Sequence, residues 1–309
     1  MKLLHESTVL PEEIDSLGHM NVRFYMARME KGTRTLIADL GIDPQLLQRG
    51  FLRRVDTYTR FRREQFEGAT LHAVGGLLEA AEGGLRSYVE IRNPQTEDVA
   101  ATFIVTTALI DADTRRALPL QVPADTSTRI EVPDHARPRS LSLDAVNTSV
   151  SLDDLDARIP DIEGGGMMSG RRETTIEATD VDAAGWLRED LELMFLPFAK
   201  MAQQTGVQQG PPVFETAEGQ RIGWAVMETR TQSFGQPRLG DRLAYFSADL
   251  KLETKSRLSR RWALDQNTGQ LLGISDTVGI CIDLDARRAV PWPDSLRAQI
   301  EQHLQPELA

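Results

Sequence analysis

The chain has 309 residues, a length that corresponds to about two domains of roughly 150 residues each. Its formal net charge of −11 argues against a broad nucleic-acid-binding surface, because such a surface is basic. The single cysteine, Cys281, excludes an intramolecular disulfide, and no signal peptide or run of about 20 apolar residues is evident, so a cytoplasmic protein without a membrane span is expected.

The first half of the chain predicts a helix followed by strands. A short strand at 7–10 leads to an Asp-x-x-Gly corner at 15–18, and apolar residues then recur at helical spacing from Val22 to Leu40. Gly41 is a suitable stop for this helix. Three runs after it are typical of strands: LHAVGGLLEA, RSYVEI and ATFIVTTALI.

The second half predicts the same order. A strand at 173–178 precedes a helix at 187–202, which should stop near Gly206 and kink at Pro197, where a backbone donor is missing. The strand-like runs that follow are AYFSADLKLE, RRWAL and LGISDTVGICI. The intervening Pro-, Asp-, Ser- and Gly-rich segment reads as a linker, with Leu141–Val150 as a potential local element. The predicted organisation is therefore 1–122 as the N-terminal domain, 123–169 as the linker and 170–309 as the C-terminal domain.

The two halves are internal repeats of each other. Arg115-Arg116 matches Arg287-Arg288 at a shift of 172 residues (287 − 115), and the same shift relates Gly68 to Gly240. The Asp-x-x-Gly corners match at a shift of 167 (182 − 15). We attribute the difference of five residues to the segment between the helix and the next strand, and we expect a duplicated α+β domain.

The first corner combines residues that suit acyl-transfer chemistry. Asp15 can act as a general base or a nucleophile, and Gly18 permits close approach to the backbone N–H groups at the start of a helix. Those N–H groups can stabilise an oxyanion, while His19 or Asn21 can orient water or a carbonyl. A plain helix cap remains the alternative role for Asp15.

The repeat and the two corners resemble the hotdog-fold thioesterase superfamily, in its 4-hydroxybenzoyl-CoA-thioesterase-like branch. The resemblance rests on Ile14–Val22 (IDSLGHMNV), on Asp180–Trp186 (DVDAAGW) and on the strand pattern with Glu67-Gly68 or Leu239–Asp241. It implies two tandem hotdog domains, each a helix wrapped by a curved antiparallel sheet, that form a pseudo-dimer with sites at their interface.

The resemblance also implies roles for individual residues. The aspartate matching Asp15 is the base or nucleophile, and Arg86-Ser87 resembles a pair that contacts CoA phosphates. Tyr25, one turn into the helix, is a candidate for the core or for a substrate contact. In the second copy Asp182 and Gly185 persist as candidates, although Trp186 and Arg188 replace the histidine and the asparagine.

We therefore expect an acyl-CoA thioesterase that needs no metal or other cofactor, with CoA or acyl carrier protein as the thiol carrier and a homo-oligomer of the double-hotdog unit as one assembly. A non-catalytic acyl-CoA-binding module and a hotdog hydratase or dehydratase are the alternatives. Despite the acidic net charge, local basic clusters are compatible with the binding of a small anionic ligand; they include Arg171-Arg172 and the run Arg257–Arg261.

Overall fold

A computed structural model describes residues 1–42, 44–81, 84–120, 129–159, 170–188, 191–205, 213–216 and 219–309. The chain divides into two compact units, Met1–Arg139 and Ser140–Ala309, called here the N-terminal and C-terminal domains. The predicted helix stop at Gly206 and the glycine-rich part of the predicted linker, 162–169, lie outside the described residues.

The N-terminal domain consists of an antiparallel sheet and a long helix. Its sheet has the order β1-β3-β4-β5-β2, with β6 paired to β5. The elements are β1 (Lys2–Thr8), α1 (Val22–Asp39), α2 (Pro44–Arg49), β2 (Gly50–Phe61), β3 (Thr70–Ala81), β4 (Gly84–Arg92), β5 (Val99–Asp111) and β6 (Ala117–Leu118). The predicted α+β class is confirmed, whereas α2 and the strand β2 were not predicted.

Helix α1 covers one face of this sheet. Its side chains Tyr25, Met29 and Leu36 are buried in one cluster with residues of β3, β4 and β5. Gly32 brings the helix backbone close to the sheet, since a Cβ at this position would lie 3.2 Å from the Cβ of Ala73. The helix ends at Asp39, two residues before the predicted stop at Gly41.

The C-terminal domain repeats this order of strands. Its sheet runs β9-β12-β11-β10-β7, with β13 on β12 and β8 on β9. The elements are α3 (Leu152–Arg158), β7 (Gly170–Thr175), α4 (Leu196–Thr205), β8 (Phe214–Glu215), β9 (Arg221–Ser233), β10 (Arg242–Leu252), β11 (Ser256–Asp265), β12 (Leu271–Asp283), β13 (Arg288–Ala289) and α5 (Asp294–Gln302).

Strand register confirms that one domain is a copy of the other. Equivalent residues pair in both sheets at the predicted shift of 172, and the irregularities in register fall at equivalent positions. The matched pairs are Gly75↔Val89 with Ser247↔Arg261, and Val89↔Phe103 with Arg261↔Ser275; the matched bulges are Leu77/Glu79 and Asp249/Lys251.

A buried ion pair joins α1 to the segment before the corner. The guanidinium of Arg28 donates to both carboxylate oxygens of Glu13, at 2.7 and 3.1 Å, and to the carbonyl of Thr8 at 2.9 Å. Only 6% of the Arg28 side chain is exposed. The pair therefore fixes the helix against both the first strand and the loop that carries the corner.

Lys200 occupies the equivalent position in the C-terminal domain. Its ammonium donates to Asp180 at 2.8 Å and to the carbonyl of Thr175 at 2.8 Å, which matches Arg28 with Lys200 at a shift of 172 (200 − 28). Burial opposes this charge, but the hydrogen bonds to Asp180 and Glu177 raise the pKa of Lys200. The corner that precedes Lys200 matches the first corner at a shift of 167, whereas Lys200 matches Arg28 at 172. The five additional residues therefore precede α4, and our prediction that they follow the helix was wrong.

The predicted helix at 187–202 begins later than expected. A single 3-10 turn at Leu193–Phe195 precedes α4, which starts at Leu196. Pro197 therefore lies in the first turn, where a missing backbone donor costs no hydrogen bond, and the predicted kink is wrong.

Part of the predicted linker packs into the domains. Ala136 is buried in the N-terminal domain, and Leu155 and Ile159 are buried against the outer face of the C-terminal sheet. Leu141–Val150 forms no helix or strand; α3 begins just after it at Leu152. The boundaries at 122 and 170 remain a prediction.

The segment at 133–137 is held on β4 by a buried carboxylate. Glu90 accepts hydrogen bonds from the hydroxyl of Tyr88 at 2.6 Å, from His135 at 2.9 Å and from Arg92. Burial alone would raise the pKa of Glu90, but these hydrogen bonds outweigh burial and lower it below the usual 4.5. The carboxylate thus contributes stability above the unfolded-state pKa, and this contribution is lost as the pH falls through the lowered folded-state pKa.

We predict that Glu90→Gln lowers the melting temperature at pH 7. Below about pH 4.5 the melting temperature of the variant should decline less steeply than that of the wild type, because position 90 no longer has a carboxylate to protonate. Thermal melts of both proteins between pH 3 and 7 measure this effect. Parallel curves for the two proteins would contradict the assignment.

We also predict that Arg28→Met destabilises the protein by about 3–5 kcal/mol, because it leaves the Glu13 carboxylate buried without its cation. Arg34→Met is the matched control, since Arg34 on the same helix is 56% exposed and its pair with Glu30 should contribute roughly 0.5 kcal/mol or less. Urea denaturation of both variants checks the difference; equal midpoints would refute it.

Candidate active site

The backbone of the first corner is a closed loop. Ile14 and Met20 form an isolated antiparallel bridge, and the amide of Asp15 donates to the carbonyl of His19 at 3.0 Å. Gly18 donates back to the carbonyl of Asp15 at 3.0 Å and has a φ of 80°, a conformation that favours glycine. The sequence thus folds here into a tight turn that places Asp15 and His19 side by side.

The side chain of Asp15 does not cap the helix. One oxygen accepts from the amide of Leu17 at 2.9 Å, and the other accepts from the side-chain amide of Asn21 at 3.2 Å. Asn21 is the N-cap, because its side-chain oxygen accepts from the amide of Arg23 at 3.1 Å. The capping role that the sequence left open for Asp15 therefore belongs to Asn21.

His19 lies beside a carboxylate that sequence reasoning missed. Its Nε2 is 3.5 Å from Glu64, and its Nδ1 is 3.2 Å from the carbonyl of Met20. Glu64 belongs to the loop after β2, which is bonded to the corner through the amide of Met20 and the carbonyl of Gln65 at 2.8 Å. Charged residues in such loops are common, so only the fold reveals that this one faces the imidazole.

Most backbone N–H groups around the corner are occupied. The amides of Met20, Asn21 and Phe24 donate to main-chain carbonyls, whereas those of His19 and Val22 have no acceptor within the described part of the chain. The His19 amide directly follows Gly18, at the mouth of α1. This arrangement puts a half-buried carboxylate, an imidazole and a vacant N–H donor at one helix terminus.

The second corner has the same backbone but a different side-chain arrangement. Its carboxylate, Asp182, accepts from the amides of Ala184 at 2.9 Å and Trp186 at 3.0 Å, and Gly185 has a φ of 74°. Trp186 is the equivalent of His19, so the amide that is vacant in the first corner is occupied here by the corner's own carboxylate. The Trp186 side chain is buried, and α4 starts only at Leu196.

The other predicted substrate residues lie in the sheet or the core. Tyr25 is buried against Phe61, donates its hydroxyl to the carbonyl of Arg63 at 3.1 Å, and has a pKa raised by burial. Ser87 is also buried, and its hydroxyl is 3.5 Å from the carbonyl of Val105. Among the described residues, no hydrogen bond or ion pair joins Arg86 or Ser87 to the corner.

The described residues contain no group of three or more His, Cys, Asp or Glu side chains that could hold a metal ion. Over the same residues, no helix has the length and apolar character needed to cross a bilayer.

Comparisons with known proteins agree with this fold. Residues 9–135 match the family model of the Thioesterase-like superfamily. The 12:0-ACP thioesterase from Umbellularia californica superposes with a TM-score of 0.61 at 11% identity, over 89% of this chain and 92% of that one. An acyl-ACP thioesterase from Bacteroides thetaiotaomicron gives 0.55 at 10% identity, over 89% and 96% of the two chains. A search of curated protein sequences found no match.

The chain is thus a double-hotdog protein, and the predicted fold is confirmed over both domains. The part of the chain that matches the Thioesterase-like superfamily model, residues 9–135, includes the corner and α1. The predicted resemblance to hotdog thioesterases and the general class of thioester hydrolase are confirmed with it.

We predict that Asn21→Ala and Asn21→Ser separate the two bonds of this side chain. Alanine removes the helix cap and should cost about 1 kcal/mol, whereas serine caps about as well as asparagine. Neither replacement provides the amide that donates to Asp15, so both should lower thioester hydrolysis. Urea denaturation and kcat/KM measure the two effects; equal stability of the two variants would contradict the cap.

Proposed function

We propose that the protein hydrolyses an acyl thioester, with acyl-CoA as substrate, and that the N-terminal corner is its active site. The observation that supports this proposal is the contrast between the two corners. Asp15 leaves the adjacent His19 amide vacant, whereas Asp182 accepts from the amide of Trp186.

The vacant amide suits the oxygen of the thioester carbonyl. Negative charge develops on this oxygen as the carbon becomes tetrahedral, and a backbone N–H without another acceptor can stabilise that charge. Gly18 has no side chain to block the approach of the carbonyl. In this arrangement the His19 amide donates to the oxyanion.

Asp15 is the group that starts the reaction. As a general base it takes a proton from water; the resulting hydroxide adds to the carbonyl carbon, and the C–S bond then breaks to release the thiolate. As a nucleophile it adds to the carbonyl carbon, and the C–S bond breaks with release of the thiolate; water later cleaves the acyl anhydride that this step leaves. In both routes Asn21 orients the carboxylate through the 3.2 Å hydrogen bond.

His19 and Glu64 form the second part of the proposed site. A carboxylate beside an imidazole fixes the orientation of the ring. His19 can then deliver a proton to the departing thiolate. Glu64 is a positioning residue in this scheme, because it acts through His19.

Acyl carrier protein is the second candidate carrier of the acyl group. It is favoured by the two double-hotdog structures described above, since both are acyl-ACP thioesterases and each is covered over more than nine-tenths of its length. A non-catalytic binding module and a hotdog hydratase or dehydratase are the other classes, and both would release no thiol.

We predict that Asp15→Asn lowers kcat/KM by about a hundredfold or more, because it removes the charge while keeping the shape and the bond to Leu17. Asp182→Asn is the matched control, and it should retain activity near that of the wild type. Thiol release with acyl-CoA and acyl-ACP of several chain lengths is the measurement, and thermal melts check folding.

Other outcomes of the same assay reassign the function. A normal Asp15→Asn beside an inactive Asp182→Asn would move the site to the C-terminal domain. Full activity in both variants would refute the carboxylate mechanism. No thiol release by the wild-type protein from any substrate would favour the binding module.

A further inference from the structure

The C-terminal sheet has a row of polar residues on the face that α4 covers. Arg261 on β11 pairs in register with Ser247 on β10 and with Ser275 on β12. Two residues further along β11, Ala263 is packed in the apolar cluster with Leu196 of α4. Because alternate residues of a strand share a face, Arg261 lies on the side of the helix.

The equivalent row in the N-terminal domain is apolar. At a shift of 172, Val89 (261 − 172) stands in place of Arg261, Gly75 in place of Ser247 and Phe103 in place of Ser275. Val89 and Phe103 are fully buried in the core under α1. The two domains therefore share a frame, but they differ in the chemistry of the same inner row.

Two aromatic rings lie beside the guanidinium of Arg261. It is 4.8 Å from the ring centroid of Phe198 and 5.2 Å from that of Phe195, and Arg172 lies 5.4 Å from the same Phe198 ring. Within the described part of the chain, the guanidinium of Arg261 has neither a hydrogen bond nor an ion pair with a carboxylate. Part of its side chain remains accessible to solvent.

Electrostatics around Arg261 are unfavourable for its charge. Burial lowers its pKa to about 10, and the positive charges of Arg257 and Arg172 add to this effect, while Asp249 opposes it. Asp249 is itself bonded to Arg257 at 3.2 Å. A cation–π contact provides about 0.5–2 kcal/mol and satisfies none of the five N–H donors of a guanidinium, so the charge of Arg261 has no anionic partner among the described residues.

We propose that the C-terminal domain binds a carboxylate attached to an apolar body, such as a medium-chain fatty acid, with its head group at Arg261. A carboxylate accepts two parallel hydrogen bonds from one guanidinium. The rings of Phe195 and Phe198 provide apolar surface beside it, where a fully hydrated inorganic anion would gain nothing. The proposal is independent of the catalytic role proposed for Asp15.

The test uses the full-length protein and sodium octanoate as the probe, measured by isothermal titration calorimetry and thermal melts. Wild type should bind octanoate, whereas 1-octanol and inorganic phosphate should bind at least tenfold more weakly. Arg261→Met should weaken octanoate binding by about tenfold or more. Arg242→Met is the matched control, because Arg242 on β10 is 60% exposed and pairs with Glu173.

Melting without ligand separates a binding site from a structural contact. Arg261→Met should melt no lower than wild type, since it removes a charge that has no anionic partner among the described residues. A clearly lower melting temperature would show that the Arg261 side chain stabilises the fold and would overturn the proposal. Arg261→Lys, which keeps the charge and should retain part of the affinity, covers the case in which the methionine variant does not fold.

Three further outcomes would also overturn the proposal. These are unchanged octanoate affinity in Arg261→Met, equal binding of inorganic phosphate and octanoate to wild type, and the absence of octanoate binding to wild type. Octyl phosphate distinguishes the head group: tighter binding than octanoate would assign the site to a phosphate instead of a carboxylate.

Discussion

The buried pair of Arg28 and Glu13 is the contact on which the geometry of the N-terminal corner depends. One guanidinium holds the first strand, the loop before the corner and the helix together through Thr8, Glu13 and its own position on α1. A charge removed from water in this way is tolerated only when its donors are satisfied, which makes the geometry specific. The C-terminal domain has an equivalent ion pair between Lys200 and Asp180, although both residues differ in type from Arg28 and Glu13. Both domains therefore share the arrangement of helix, strand and corner, although the residues that produce it differ.

The five additional residues before α4 explain why two corners with the same backbone differ in the hydrogen bonds of their carboxylates. Both corners have the same backbone hydrogen bonds and a glycine of positive φ. In the first, α1 begins directly after Asn21, so the helix terminus and the vacant amide of His19 lie together. In the second, the helix starts at Leu196 and the local carboxylate occupies the matching amide. The position of the helix start thus distinguishes the corner in which the amide after the glycine is vacant from the corner in which the local carboxylate accepts from it.

The sequence was sufficient for features that depend on local pattern or on repetition. It predicted α1, the duplicated sheet and the composition of both corners, because apolar spacing and a constant shift of 172 are visible in one chain. It did not locate the length difference, since the match of Arg28 with Lys200 depends on a buried ion pair between unlike residues. Glu64 was missed for a similar reason: 45 residues separate it from His19, and only the pairing of the loop with Met20 brings them together.

The frame of a duplicated sheet is held by backbone hydrogen bonds and by bulges at matched positions, so the side chains of one inner row can change without changing the register. In the N-terminal domain this row contributes Val89 and Phe103 to the core. In the C-terminal domain the same row contains Arg261, whose charge lacks an anionic partner among the described residues. An anion that binds only the folded state would stabilise it by mass action. The unfavourable free energy of the Arg261 charge in the free domain and the free energy gained when an anion binds then have one physical origin, the lack of an anionic partner for Arg261 among the described residues. Duplication explains how the protein could accept this cost in one domain while the other kept an apolar core.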